Sequence, residues 1–160
     1  MSKPDTPVAT DSPLTFTEAQ SLAERVAAEM FARDRASQAM GIRIVKVGPG
    51  RAELTMQVRA DMLNGHATCH GGFIFTLADS AFAFACNSAN MTTVASGCSI
   101  DFMAPAREDD VLTAIGSERV LSGRTGVYDI EVRNQRGETV ALFRGKSHRI
   151  KGQVIAGAAP

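Results

Sequence analysis

Asp79 is the one carboxylate in the most apolar stretch of the chain, FIFTLADSAFAFAC over residues 73–86. The only other polar side chains there are Thr76 and Ser80. The run predicts a helix, on which Asp79 neighbours Phe75 and Thr76 on one turn and Phe82 and Ala83 on the next. Burying an unpaired carboxylate costs several kcal/mol. Desolvation raises its pKa, and a nearby donor pulls it back. Such a group is a candidate general base or nucleophile. The plainer reading is a hydrogen-bonded Asp bridging helix and sheet, and residue physics leaves both open.

His70-Gly71-Gly72 stand where this helix begins. Two glycines let another group approach the backbone closely. The first-turn N–H groups have no helical partner and carry the positive end of the dipole. That is a ready oxyanion site, although a tight entry into a packed helix would use the same residues. Gly71 and Asp79 lie eight residues apart, about 12 Å along an intact helix. A reacting carbonyl needs both within about 3 Å. One chain cannot place both on one atom, but two antiparallel copies of the helix can. If both groups are catalytic, the expectation is at least a homodimer with its active site at the interface.

Asn64 lies seven residues before Gly71 and its amide can donate to a carbonyl or orient water. Asn64-Gly65 is also a common turn dipeptide. His66, Cys69 and His70 match no standard zinc spacing and lack an evident fourth ligand, so no metal is expected. Cys69 has no His–Asn or His–Asp arrangement that can be placed beside it. His148, between Lys146 and Arg149, reads as a residue on a solvent-facing strand edge.

The surrounding chain must position these groups. Its 160 residues suit one domain with a core that needs no disulfide staples. Seventeen basic and 17 acidic residues balance to zero, which argues against nucleic acid as a partner. Three cysteines without CxxC spacing argue against a disulfide framework or a zinc ribbon and suit a reducing cytoplasm. The first residues lack the apolar run of a signal peptide. The uncharged stretch from Ser80 to Ile100 is interrupted by NSANMTT, so no membrane span is expected.

Residues 1–14 are polar with three prolines and read as a flexible tail. Thr17 to Gln20 has capping-box spacing ahead of a helix with Leu22, Val26, Ala27 and Met30 on one face. Ile42, Ile44 and either Val45 or Val47, then Gly48-Pro49-Gly50, then Ala52, Leu54, Met56 and Val58, predict a β-hairpin. Residues 59–70 read as a loop, and the apolar helix runs to about Ala89. Four strands follow, with a turn at Gln135-Arg136-Gly137 between the last two. Six largely antiparallel strands and one apolar helix require a sheet that curls around the helix, an α+β fold. The domain is expected over residues 15–152, with a C-terminal tail over 153–160.

NGHATCHGGFIFTLADSAFAFACNS, with SIDF, GRTGVYDIEV and ALFRGKSHRI, closely resembles the phenylacetate-degradation branch of hotdog-fold acyl-CoA thioesterases, over about residues 30–152. The resemblance implies a hotdog fold and a dimer, usually paired into a homotetramer. It implies an acyl-CoA substrate such as phenylacetyl-CoA or a ring-hydroxylated relative, with coenzyme A part of the substrate and no separate cofactor. It assigns Asp79 as the catalytic carboxylate and Asn64 as the group holding the thioester or water. Gly71 N–H polarises the carbonyl, His70 lines the same turn, and Ser80 positions water or the carboxylate. One departure is Ala104 before Pro105, where many relatives carry a basic residue; Arg107 is the nearest replacement.

Phe73, Phe75, Phe82, Met62 and Leu63 are candidates for the acyl pocket, and all five could equally be core. Arg124, its neighbour Thr125, Lys146 and Arg149 are candidates to meet the CoA moiety, or members of a solvated strand face. Two rival readings remain: a hotdog dehydratase or hydratase, kept open by His70, and a non-catalytic acyl-CoA binding module. A pure binder has no use for a buried carboxylate beside the thioester.

Overall fold

The computed structural model describes residues 13–158. Of the expected N-terminal tail only Pro13 and Leu14 fall within it. Helix α1 (Phe16–Arg33) opens with a capping box at Thr15, not at Thr17. The Thr15 hydroxyl accepts from Glu18 N–H at 3.3 Å, and the Glu18 carboxylate accepts from Thr15 N–H at 2.8 Å. Thr15 and Glu18 offer the same spacing as Thr17 and Gln20 and start the helix earlier. Leu22, Ala23, Val26 and Ala27 are buried. A short helix α2 (Arg35–Ala39) leads into strand β1 (Arg43–Gly48).

Strand β2 (Arg51–Gln57) closes the hairpin with β1. A bulge between Ile44 and Lys46 shifts the register. It sends Val47 inward and leaves Val45 in solvent, which settles the choice the alternation left open. After a one-turn 3-10 helix (Ala60–Met62) and a loop comes helix α3 (Gly71–Asn87). Strands β3 (Met91–Phe102), β4 (Val111–Ser122), β5 (Thr125–Arg133) and β6 (Thr139–Gln153) complete the chain.

All strand pairs are antiparallel, in one sheet ordered β1-β2-β4-β5-β6-β3. The sheet wraps α3, giving the hotdog arrangement. Leu77, Ala78 and Ala81 are fully buried, and Phe82 lies against Gly145 of β6. A Cβ at Gly145 would come within 2.7 Å of that ring, so the close approach requires glycine. Tyr128 and Phe143 meet the same ring at centroid separations of 5.5 and 6.0 Å.

Two features differ from expectation. Strand β6 lies between β5 and β3, so His148 is half-buried on an interior strand and not at an edge. β6 also runs to Gln153, and the chain then folds back onto Asn90. That side chain accepts from Ile155 N–H at 2.8 Å and donates to the Ile155 carbonyl at 3.1 Å. The edges of the sheet are β1 and β3. No helix among the described residues is long and apolar enough to cross a membrane.

Candidate active site

Helix α3 is buried on most sides, yet one stripe stays uncovered. Gly72 is exposed, and Thr76, Asp79 and Ala83 are half-buried. These positions follow each other at helical spacing on one face. Asp79 therefore looks out of the core along the free face of the helix. Burial pushes its carboxyl above the ordinary carboxylate value. Its one hydrogen-bonding contact among the described residues is the Cys98 thiol on β3, with Sγ 4.0 Å from Oδ1.

At the N-terminus of α3, His70 is the N-cap and its Nδ1 accepts from Gly72 N–H at 3.0 Å. This fixes the imidazole tautomer with its proton on Nε2. Phe73 N–H donates to the His70 carbonyl at 3.0 Å. The Gly71 N–H has no acceptor among the described residues. It is the free donor at the positive end of the helix dipole.

The loop before it is a tight hairpin. Ala67 N–H donates to the Asn64 carbonyl at 3.0 Å, and Asn64 N–H to the Thr68 carbonyl at 2.8 Å. Ala67 sits in the left-handed region at φ 55°, a conformation rare for a residue with a Cβ. Asn64 Oδ1 accepts from His66 N–H at 2.9 Å and from the Thr68 hydroxyl at 3.2 Å. These donors fix the amide orientation, leaving Nδ2 without an acceptor among the described residues. The hairpin is tied down by Cys69 N–H to the Ala106 carbonyl and His70 N–H to the Met62 carbonyl, both at 2.8 Å.

The remaining residues sort by depth. Ser80 turns inward and meets the Ser37 hydroxyl at 3.0 Å, which bonds onward to Asp34, so it secures α2 to α3 and does not reach Asp79 in this chain. Phe82 and Met62 belong to the core, since each is at most 1% exposed. In the single chain they pack under the sheet and the loop, with no exposed face to offer an acyl group. Phe73, Phe75 and Leu63 are half-buried and stay at the surface of the core. Cys69 is buried, and desolvation pushes its thiol up to about 11, which disarms it as a nucleophile.

The cationic candidates gather at the other end of α3. Arg124 Nε donates to the Arg149 carbonyl at 2.9 Å, and Arg149 N–H donates back to the Arg124 carbonyl at 2.8 Å. Thr125 pairs with His148, while exposed Lys146 pairs with Val127 and Gly97. Arg149 also lines a cavity of about 430 Å³ with Cys86, Glu118 and Tyr128. Arg107 is exposed, and its N–H donates to Asp110.

Phe102 is a further candidate that the sequence pattern passes over. It is 53% exposed, and its ring lies on Gly71, where a Cβ would stand 2.9 Å from it. Phe102 over Gly71 and Cys98 over Asp79 run along the same side of β3. Four residues of strand span about 13 Å, matching about 12 Å for the eight helical residues between their partners. The edge strand thus forms a wall along the free stripe of α3. The SIDF motif marks Phe102 in the sequence, but not which face it takes.

The arrangement offers a fixed backbone donor, a second amide donor in the loop that leads into it, and a carboxylate of raised pKa. These are the parts of an acyl-transfer site. Comparisons with known proteins agree. The thioesterase superfamily model matches residues 66–141. The acyl-coenzyme A thioesterase PaaI of Escherichia coli strain K12 is 53% identical over 129 residues, covering 81% of this chain and 92% of that protein. The structure of the E. coli PaaI protein from the phenylacetic acid degradation operon superposes with a TM-score of 0.83 at 51% identity, over 84% of this chain and 98% of that one. A mutant of the phenylacetic acid degradation protein PaaI from Thermus thermophilus has a TM-score of 0.71 at 40% identity, over 73% and 100%. The chain belongs to the thioesterase superfamily, as a hotdog thioesterase of the PaaI type.

Proposed function

We propose that this protein hydrolyses an aromatic acyl-CoA thioester, phenylacetyl-CoA or a ring-hydroxylated relative, to the free acid and coenzyme A. It works as a homodimer whose two sites lie at the interface, with dimers pairing into a tetramer, and it needs no added cofactor. The observation that carries this reading is the free stripe of α3. Asp79 and the Gly71 N–H face outward on one helix but stand about 12 Å apart, so each needs a counterpart from a second copy. The exposed segment Val94–Ser99 on edge strand β3 supports the same pairing. Three unpaired thiols support a cytoplasmic location.

In each site Gly71 N–H of one protomer polarises the thioester carbonyl, and Asn64 Nδ2 adds a second donor. Asp79 of the other protomer acts on the carbonyl carbon. It either takes a proton from the attacking water or attacks directly to give a mixed anhydride that water then opens at the acyl carbon, returning the Asp79 carboxylate. By both routes the C–S bond breaks, the sulfur leaves as the CoA thiol, and the oxygen of water ends in the carboxylic acid. The exposed ring of Phe102 and half-buried Phe73 and Phe75 supply aromatic surface for the acyl group.

Replacing Asp79→Asn should lower kcat on phenylacetyl-CoA by roughly 10²–10⁴-fold, with binding of the substrate retained. Near-normal turnover would overturn the mechanism. Subunits carrying Asp79→Asn, mixed with subunits inactivated in the Asn64–Gly71 loop, should regain about a quarter of the parent activity at statistical exchange. Verified heterodimers with no activity would refute the shared site.

A further inference from the structure

We propose that Cys98 is the positioning residue for Asp79, its neutral thiol holding one carboxylate oxygen so that the other is presented to the thioester. The inference rests on Asp79 being the catalytic carboxylate. Its own warrant is geometric. Cys98 lies on β3, opposite Gly145 of β6, and reaches across to the free stripe of α3. Its Sγ stands 4.0 Å from Asp79 Oδ1, and among the described residues no other side chain or backbone donor bonds that carboxylate.

A carboxylate on an uncovered helical face has several staggered rotamers open to it. A catalytic group needs one, because small misplacements of a reacting atom are costly in rate. The thiol is a soft, weak donor. It constrains Oδ1 while leaving the carboxylate far more basic than a guanidinium or ammonium partner would. The opposite side of Cys98 is Gly145, which has no side chain to compete for the thiol.

The charges around the pair fit this role. Asp79 makes no ion pair among the described residues. Cys98 on β3 and Cys86, about two turns further along α3, both feel its charge. Burial, then the neighbouring Asp79 charge, pushes the Cys98 thiol up. Cys98 therefore stays protonated at neutral pH and donates, where a thiolate would repel the carboxylate. Cys86 is deeper, with its thiol pushed up to about 12 by burial, and directs its own S–H to the Ala83 carbonyl.

The test compares Cys98→Val, which keeps apolar volume and removes the donor, with Cys98→Ser, which keeps a donor. On phenylacetyl-CoA, Cys98→Val should lose about fivefold to tenfold in kcat with little change in KM. Its acid limb in kcat/KM should move to higher pH, since the ionised carboxylate has lost its donor. Cys98→Ser should recover most of the loss and the parent limb. A Val profile that superimposes on the parent, or a Ser variant that falls as far as Val, would overturn the proposal.

Thiol reactivity gives a readout that does not depend on turnover. The pH midpoint for alkylation of Cys98 by iodoacetamide should fall in Asp79→Asn. An unchanged midpoint would show that the two groups are not coupled. Full turnover by Asp79→Asn would defeat the catalytic reading itself, whereas an inactive Asp79→Asn beside an unaltered Cys98→Val defeats only this one.

Discussion

As the proposed catalytic carboxylate, Asp79 sets function against stability at a single residue. Its folded-state pKa is raised by burial, so the folded chain favours the protonated acid. That contribution is fully present below the ordinary carboxylate pKa. It is lost as pH rises through the raised folded value, where a half-buried ion replaces a neutral acid. Asp79→Asn should therefore melt higher than the parent at neutral pH, and the gap should close on acidification. Thermal melts across the acid range check this; a variant less stable at neutral pH would mean that the ionised carboxylate is net stabilised. The sequence showed this residue plainly, because a lone charge in an apolar helix stands out. It did not show that Ser80 turns to Ser37, nor that Cys98 comes to Asp79. Both contacts join positions remote in the chain, and their geometry depends on packing and register, not on local spacing.

At the scale of elements, the site is held by the join between α3 and β3. Asn87 makes that join. Its Nδ2 donates to the Thr93 carbonyl at 3.0 Å and its Oδ1 accepts from Thr93 N–H at 2.9 Å, with the residue buried. Asn87→Ala should cost about 1–3 kcal/mol, because the Thr93 backbone groups are left buried without partners. Urea unfolding measures it, and a loss well below that range would mean water or a shifted strand replaces the amide. The elements themselves were legible from period: six strands and the apolar helix fall where alternation and the Gly71-Gly72 start place them. The strand order was not. His148 looked like an edge residue because charged neighbours flank it, yet β6 is interior and the nearer edge is β3. Phe82 and Met62 illustrate the same limit. Hydrophobicity alone cannot tell a pocket wall from core, and only the curl of the sheet decides it.

On the scale of the whole molecule, β3 exposes Val94 through Ser99 at the sheet edge beside the candidate site. An edge of this kind is a template for another strand, and in the proposed dimer a second copy supplies one. Gly97 has nothing within 4 Å of where a side chain would project. Single chains should therefore accommodate Gly97→Lys combined with Val94→Lys, while paired β3 edges would bring the added charges together. The double variant should sediment as a folded monomer and lose activity. A dimer of full activity would place the interface elsewhere.

The bare edge of β3 also bears on how the protein comes into being. A newly folded chain carries Val94, Phe102 and Met103 exposed, and in the proposed dimer they are covered once it meets a twin. The second-order meeting of chains would then follow folding and govern the appearance of activity. Refolding traces should show a phase that slows on dilution, and the melting temperature should climb with protein concentration. Chains held too long at the solitary stage would face the competing fate of mismatched edges and aggregation.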